Sequence, residues 1–144
     1  PGEYEVKGMF VYGVQDPSVG EEEKRPLVYR FNVENISLAF IGQLKRALTN
    51  YEVEELGDID ILMLPVGGGQ YMDAKLASDT IGLIEPRLVI PLCYNIDSLK
   101  EELGSLDAFM KQLGAVKRED AVKLKISKKD LPAEDMIVTV LERA

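Results

Sequence analysis

The 144-residue chain contains no histidine. Imidazole is the commonest metal ligand and the only side chain whose unperturbed pKa falls near neutral pH. Any chemistry must therefore come from carboxylates, amides, one thiol and backbone groups, and Ser-His or Cys-His nucleophilic catalysis within the chain is excluded. Two carboxylate pairs, Asp58 with Asp60 and Asp16 with Glu21, have the type needed for acid–base work. Asp58 and Asp60 nevertheless flank the start of an apolar run, where structural roles at a strand end are the simpler expectation. Cys93 is the single cysteine; one thiolate without suitable neighbours builds no tetrahedral metal site, and a buried, unreactive cysteine is expected. Gly67-Gly68-Gly69 precedes a helix starting near Asp73, an arrangement in which backbone N–H groups attract anions. The lysine and spacing of a P-loop are absent, so a tight strand-to-helix turn is the simpler reading.

Charge narrows the partners. Seventeen Lys and Arg against 25 Asp and Glu give a net charge of −8, a field that repels phosphate backbones and anionic lipid. No nucleic-acid or membrane role is expected, and no apolar run approaches the ~20 residues that span a bilayer. The basic stretch Lys123 to Lys129 alternates with Val122, Leu124 and Ile126, which reads as the solvent face of a strand. The loop Gln15 to Arg25 and the segment Asn50 to Glu55 read as solvated acidic surface. One cysteine and no secretory pattern imply a cytoplasmic setting. Pro1 either follows a removed methionine or marks a cut in a longer chain.

The elements that must position these residues are strands first, then strands alternating with helices. Glu3 to Val14 has strand character interrupted at Gly8 and Gly13; Leu27 to Val33 and Ile36 to Ile41 are joined across Glu34-Asn35 as a hairpin. Thr49 with Glu52 forms a capping box before a helix over Asn50 to Leu56, which Gly57 stops. The apolar runs Ile59 to Val66 and Arg87 to Leu92 enclose a helix from Asp73 to Ile84, a βαβ unit with a buried parallel pair. Ser105 caps another helix that ends at Gly114, and strands over Ala121 to Ile126 and Met136 to Leu141 complete one α/β domain over residues 1–144. Such apolar strands want cover on both sheet faces, and these helices can cover only one. A partner sheet is therefore expected.

The opening Pro1-Gly2-Glu3-Tyr4-Glu5-Val6-Lys7-Gly8, the run Ile59 to Gly69 and the segment Glu85 to Tyr94 together resemble the C-terminal half of the metallo-β-lactamase fold, in its compact subgroup of zinc-dependent hydrolases. The resemblance implies half of an αββα sandwich: a mixed sheet with helices on one face. It also implies a histidine- and aspartate-rich metal motif in an N-terminal half to which nothing here corresponds. The remaining ligands of that family would fall at Gln15 before Asp16, at Gln43 in Phe40-Ile41-Gly42-Gln43, and at Cys93 in Ile90-Pro91-Leu92-Cys93-Tyr94. Each differs from the family pattern, and glutamine is a poor zinc ligand. The expectation is a metal-free, cofactor-free remnant pocket at Gln15, Asp16, Gln43, Gly67, Gly68, Tyr71 and Cys93, in a non-catalytic module that pairs as a homodimer. The alternative is a subunit or fragment of a metal-dependent hydrolase whose zinc depends on a complementary histidine-bearing N-terminal half.

Overall fold

The computed structural model describes residues 2–20, 28–97 and 99–143. The chain order is β1 (Glu3–Val6), β2 (Met9–Val14), β3 (Val28–Val33), β4 (Ile36–Ile41), α1 (Asn50–Leu56), β5 (Ile61–Pro65), α2 (Ala74–Ile84), β6 (Leu88–Leu92), α3 (Leu106–Leu113), β7 (Lys117–Ala121) and β8 (Ile137–Leu141). Among the described residues the strands form one mixed sheet in the order β1-β2-β3-β4-β5-β6-β8-β7. The first three pairings are antiparallel and the rest parallel. No helix among the described residues is long and apolar enough to cross a membrane.

Local signals set most boundaries. The first stretch folds at Lys7-Gly8, both with positive φ, into a hairpin. Glu34 and Asn35 likewise take φ of 47° and 65°, the left-handed pair of a tight two-residue hairpin turn. Thr49 and Glu52 close the capping box on α1, while Asp73 and Ser105 accept the N-terminal N–H groups of α2 and α3. Arg46 bridges Glu52 through both carboxylate oxygens at 2.7 and 2.8 Å. Burial raises the Glu52 carboxyl, but the Arg46 guanidinium and the Thr49 N–H outweigh it and hold the group below its ordinary value.

The register sorts side chains into two layers. Ala39, Ile41, Leu62, Leu64, Val89, Val138 and Val140 join the larger core with residues of all three helices, including fully buried Phe109 of α3. The opposite face carries a directly paired apolar row that runs Tyr4, Val11, Phe31, Leu38, Ile61, Leu88, Ile137 across seven strands. This is the one-sided helix cover expected of half an αββα sandwich.

The second face is not wholly bare. A strand was expected over Ala121 to Ile126, but β7 ends at Ala121 and the following residues run as an unpaired strap across the sheet. Leu124, Ile126 and Leu131 of the strap pack on Ile36, Ile61, Leu88 and Ile90. Val122 is 59% exposed rather than turned inward. Alternation of lysine and aliphatic residues describes any extended segment lying on an apolar surface, so period alone could not tell a strap from a strand.

One ion pair pins the strap. Lys128 Nζ donates to Asp60 Oδ2 at 2.7 Å, and the same oxygen accepts from Ser37 N–H at 3.0 Å. Burial raises the Asp60 carboxyl, and the Lys128 and Ser37 contacts lower it further than burial lifts it. A carboxyl depressed in the folded state contributes stability above its unfolded pKa and loses it as pH falls through the folded one. Asp60→Asn should therefore cost about 1–3 kcal/mol at pH 7 and flatten the acid limb of stability, read as urea midpoints against pH. Proteolysis within the strap should also accelerate.

Candidate functional site

Because β2 is antiparallel to β3 and β3 to β4, β2 runs parallel to β4, β5 and β6. The carboxyl ends of these four strands therefore share one edge of the sheet. Gln15 and Asp16 follow β2, Gln43 follows β4, Gly67 to Tyr71 follow β5, and Cys93 follows β6. Topology thus gathers every residue of the expected pocket at a single edge. Glu21, suggested as a carboxylate partner of Asp16, lies outside the described residues, as do residues 21–25 of the acidic loop as a whole.

Side-chain contacts show how each group is used. Asp16 is buried and accepts from Ser18 N–H at 2.8 Å and Ser18 Oγ at 2.6 Å. Those two bonds, then the Thr49 hydroxyl, hold its carboxyl below the ordinary value, with a smaller contribution from the Arg46 charge. Asp16 thereby ties the β2 loop to the start of α1. Gln43 is exposed, and its Nε2 donates to Gln70 Oε1 at 2.8 Å. Gln70 was not foreseen as a partner, although its place in the glycine turn was the available signal. The second pair, Asp58 and Asp60, stands outside this edge, with Asp60 engaged by Lys128 and Ser37.

Cys93 corrects the expectation of burial: it is exposed, with φ of 52°. Partial desolvation pushes its thiol up, a hydrogen bond with Tyr71 opposes this, and Glu101 adds to the rise. The glycine turn packs against it so closely that a Cβ on Gly67 would stand 2.1 Å from the Cys93 carbonyl oxygen. Gly68 N–H donates to Met72 C=O at 2.8 Å, and Gly67 C=O accepts from Gly104 N–H at 2.7 Å. A cradle for an anion needs such N–H groups directed outward, and here Gly68 spends its own on the turn.

A catalytic metal does not fit this donor set. Zinc requires three or more convergent imidazole, thiolate or carboxylate ligands. Among the described residues there is no group of three His, Cys, Asp or Glu side chains placed to hold an ion. The edge offers an amide already bonded to another amide, a single thiol, and a carboxylate occupied by its own loop.

Comparison with known proteins gives the relatives of the chain as a whole. A family model described as a beta-lactamase superfamily domain matches residues 1–93. A crystal structure of a candidate Zn-dependent hydrolase of the metallo-β-lactamase superfamily from Thermotoga maritima superposes with a TM-score of 0.80 at 32% identity, covering 99% of this chain and 70% of that one. A metallo hydrolase from Ignicoccus hospitalis shares the fold at a TM-score of 0.57 and 18% identity, over 78% of this chain and 50% of its own. A UPF0173 metal-dependent hydrolase of Nanoarchaeum equitans is 44% identical over 43 residues, 30% of this chain and 20% of that relative. Its counterpart in Pyrococcus abyssi is 43% identical over 42 residues, 29% of this chain and 19% of the relative. The matched stretch thus spans about a fifth of the length of these curated relatives.

Proposed function

This chain belongs to the metallo-β-lactamase superfamily, and from that premise we propose that it is a metal-free layer of the fold, an interaction module that pairs the open half of its sheet with a second β-layer. The observation that carries this reading is the unstrapped part of the second face. On β1 to β3 the outward side chains are Tyr4, Val6, Met9, Val11, Tyr29, Phe31 and Val33, none of them charged, and Tyr4 and Val6 are 66% and 53% exposed. Solvent is a poor resting place for such a surface, whereas a second sheet packed face to face would bury it. A second copy of the chain could do so through a self-complementary two-fold contact. In this reading residues 1–144 act as one cytoplasmic domain, and Gln15, Gln43 and Cys93 mark positions where metal ligands have been replaced.

A second reading is favoured by one observation: relatives are described as metal-dependent hydrolases, and the Thermotoga chain extends beyond the 70% matched here. In it, a histidine-bearing segment supplies both the second layer and the metal, and this chain contributes the sheet and its edge. Equilibrium dialysis against zinc with elemental analysis separates the readings. The metal-free module predicts substoichiometric zinc that is unchanged by Cys93→Ser. One zinc per chain, lost in Cys93→Ser or Asp16→Asn, would overturn it.

A further inference from the structure

We propose that the crevice between the carboxyl ends of β6 and β8 is a binding site for an uncharged, largely apolar small molecule. The site is separate from the layer pairing proposed above and does not rest on it.

The backbone opens the crevice. Ile137 N–H donates to Arg87 C=O at 3.1 Å, so alternate residues from Arg87 onward, Val89 and Pro91, turn their backbone groups toward β8. Pro91 has no N–H to donate. Pairing of β6 with β8 is confined to Leu88 with Ile137 and Val89 with Val138, while β6 stays paired with β5 as far as Leu92. On the other side, β7 stays paired with β8 as far as Leu141. The sheet therefore parts at this seam, toward its carboxyl edge.

The chain connections diverge at the same place. The segment leaving β6 leads to α3, which packs in the helix-side core, whereas the segment leaving β7 crosses the opposite face as the strap. These two connections leave the strands on either side of β8, so neither crosses the carboxyl end of the β6–β8 seam. The groove left there is open to solvent along one side and has a volume of about 730 Å³, inside the ~300–1,000 Å³ usual for small-molecule sites.

The lining sets the ligand class. Leu92, Tyr94, Ile96, Leu99, Leu106 and Leu141 supply apolar walls. Ile96, Leu99 and Leu141 are 47%, 40% and 40% exposed. Single exposed aliphatic residues are ordinary, but three converging on one concavity make a site. Arg118 is held by Asp120 through Nε and Nη2 at 2.7 and 3.0 Å. The other charges at the mouth, Arg143 with Glu142 and Asp97, are of mixed sign. Nothing at the mouth selects a full ionic charge; the walls suit one or two rings or a short alkyl chain.

Fluorescence titration of the intact chain with N-phenyl-1-naphthylamine, an uncharged probe that brightens in apolar surroundings, tests the proposal. Saturable binding of one probe per chain is expected. Ile96→Glu and Leu99→Glu change exposed side chains, so folding is retained and can be checked by circular dichroism. Each should weaken binding by about tenfold or more, because the new carboxylate must be desolvated. Val6→Glu, on the open sheet face, should leave binding unchanged. No saturable binding, binding that survives both crevice variants, or binding abolished by Val6→Glu would each overturn the site. Equal or tighter binding of the anionic probe 8-anilinonaphthalene-1-sulfonate in the crevice would overturn the uncharged class.

Discussion

Gly67→Ala is expected to destabilise the chain by about 3 kcal/mol, lowering the thermal midpoint by roughly 10 °C for a domain of this size. The added Cβ would stand 2.1 Å from the Cys93 carbonyl oxygen and 3.1 Å from Leu103 Cβ. The nearer atom is backbone and cannot swing away. Relief requires the β5 end and the Cys93 loop to separate, and three backbone bonds hold them together. Val66 N–H donates to Leu92 C=O at 3.0 Å, Gly104 N–H to Gly67 C=O at 2.7 Å, and Asn95 N–H to Gly104 C=O at 2.9 Å. Gly82 is the internal control, because it lies in α2 with nothing within 4 Å of its would-be Cβ. Gly82→Ala should stabilise by about 0.5–1 kcal/mol through helix propensity. Thermal melts followed by circular dichroism read both changes. Equal midpoints for the two variants would contradict the tight packing of the turn.

The second large effect is expected at Phe31. It sits in the open apolar row, paired across strands with Val11 and Leu38, with the Tyr29 ring centroid 6.5 Å from its own. It faces away from the helices and lies outside the core clusters, so the helix-side core does not depend on it. Phe31→Glu would place a carboxylate in the middle of the proposed interface, where it must be desolvated without a partner. Self-association should weaken by at least about 100-fold, the effect of losing roughly 3 kcal/mol, while the thermal midpoint of the separated chain changes little. A variant that associates as tightly as the parent would remove this face from the interface.

Much of this fold is legible in the sequence because its signals are local. Thr49 with Glu52, Asp73 and Ser105 mark the helix starts where they occur. The apolar runs around Leu62 and Val89 declare the buried parallel pair. The strap was misread because Leu124 and Ile126 obey the same period on a sheet surface as in a ladder, and its anchor joins Asp60 to a lysine 68 residues away. At the edge, placement of Gln15, Asp16, Gln43 and Cys93 followed from strand direction, but the state of each group did not. The exposure of Cys93 depends on a left-handed backbone at a strand end, and the amide bond between Gln43 and Gln70 depends on two loops meeting. The seam at Pro91 also required knowing which neighbour its missing N–H faces, which only the β6–β8 register supplies.

The proposed pairing depends on the uncharged side chains of β1 to β3 being covered by a second layer. Light scattering coupled to size-exclusion chromatography, on the 144-residue chain at micromolar concentration, tests it directly. The predicted result is a particle with the mass of two chains, burying at least ~2,000 Å² in total as obligate pairs do, that reverts to the mass of one chain on Phe31→Glu. A stable, well-behaved single chain at that concentration, with no change on Phe31→Glu, would contradict it.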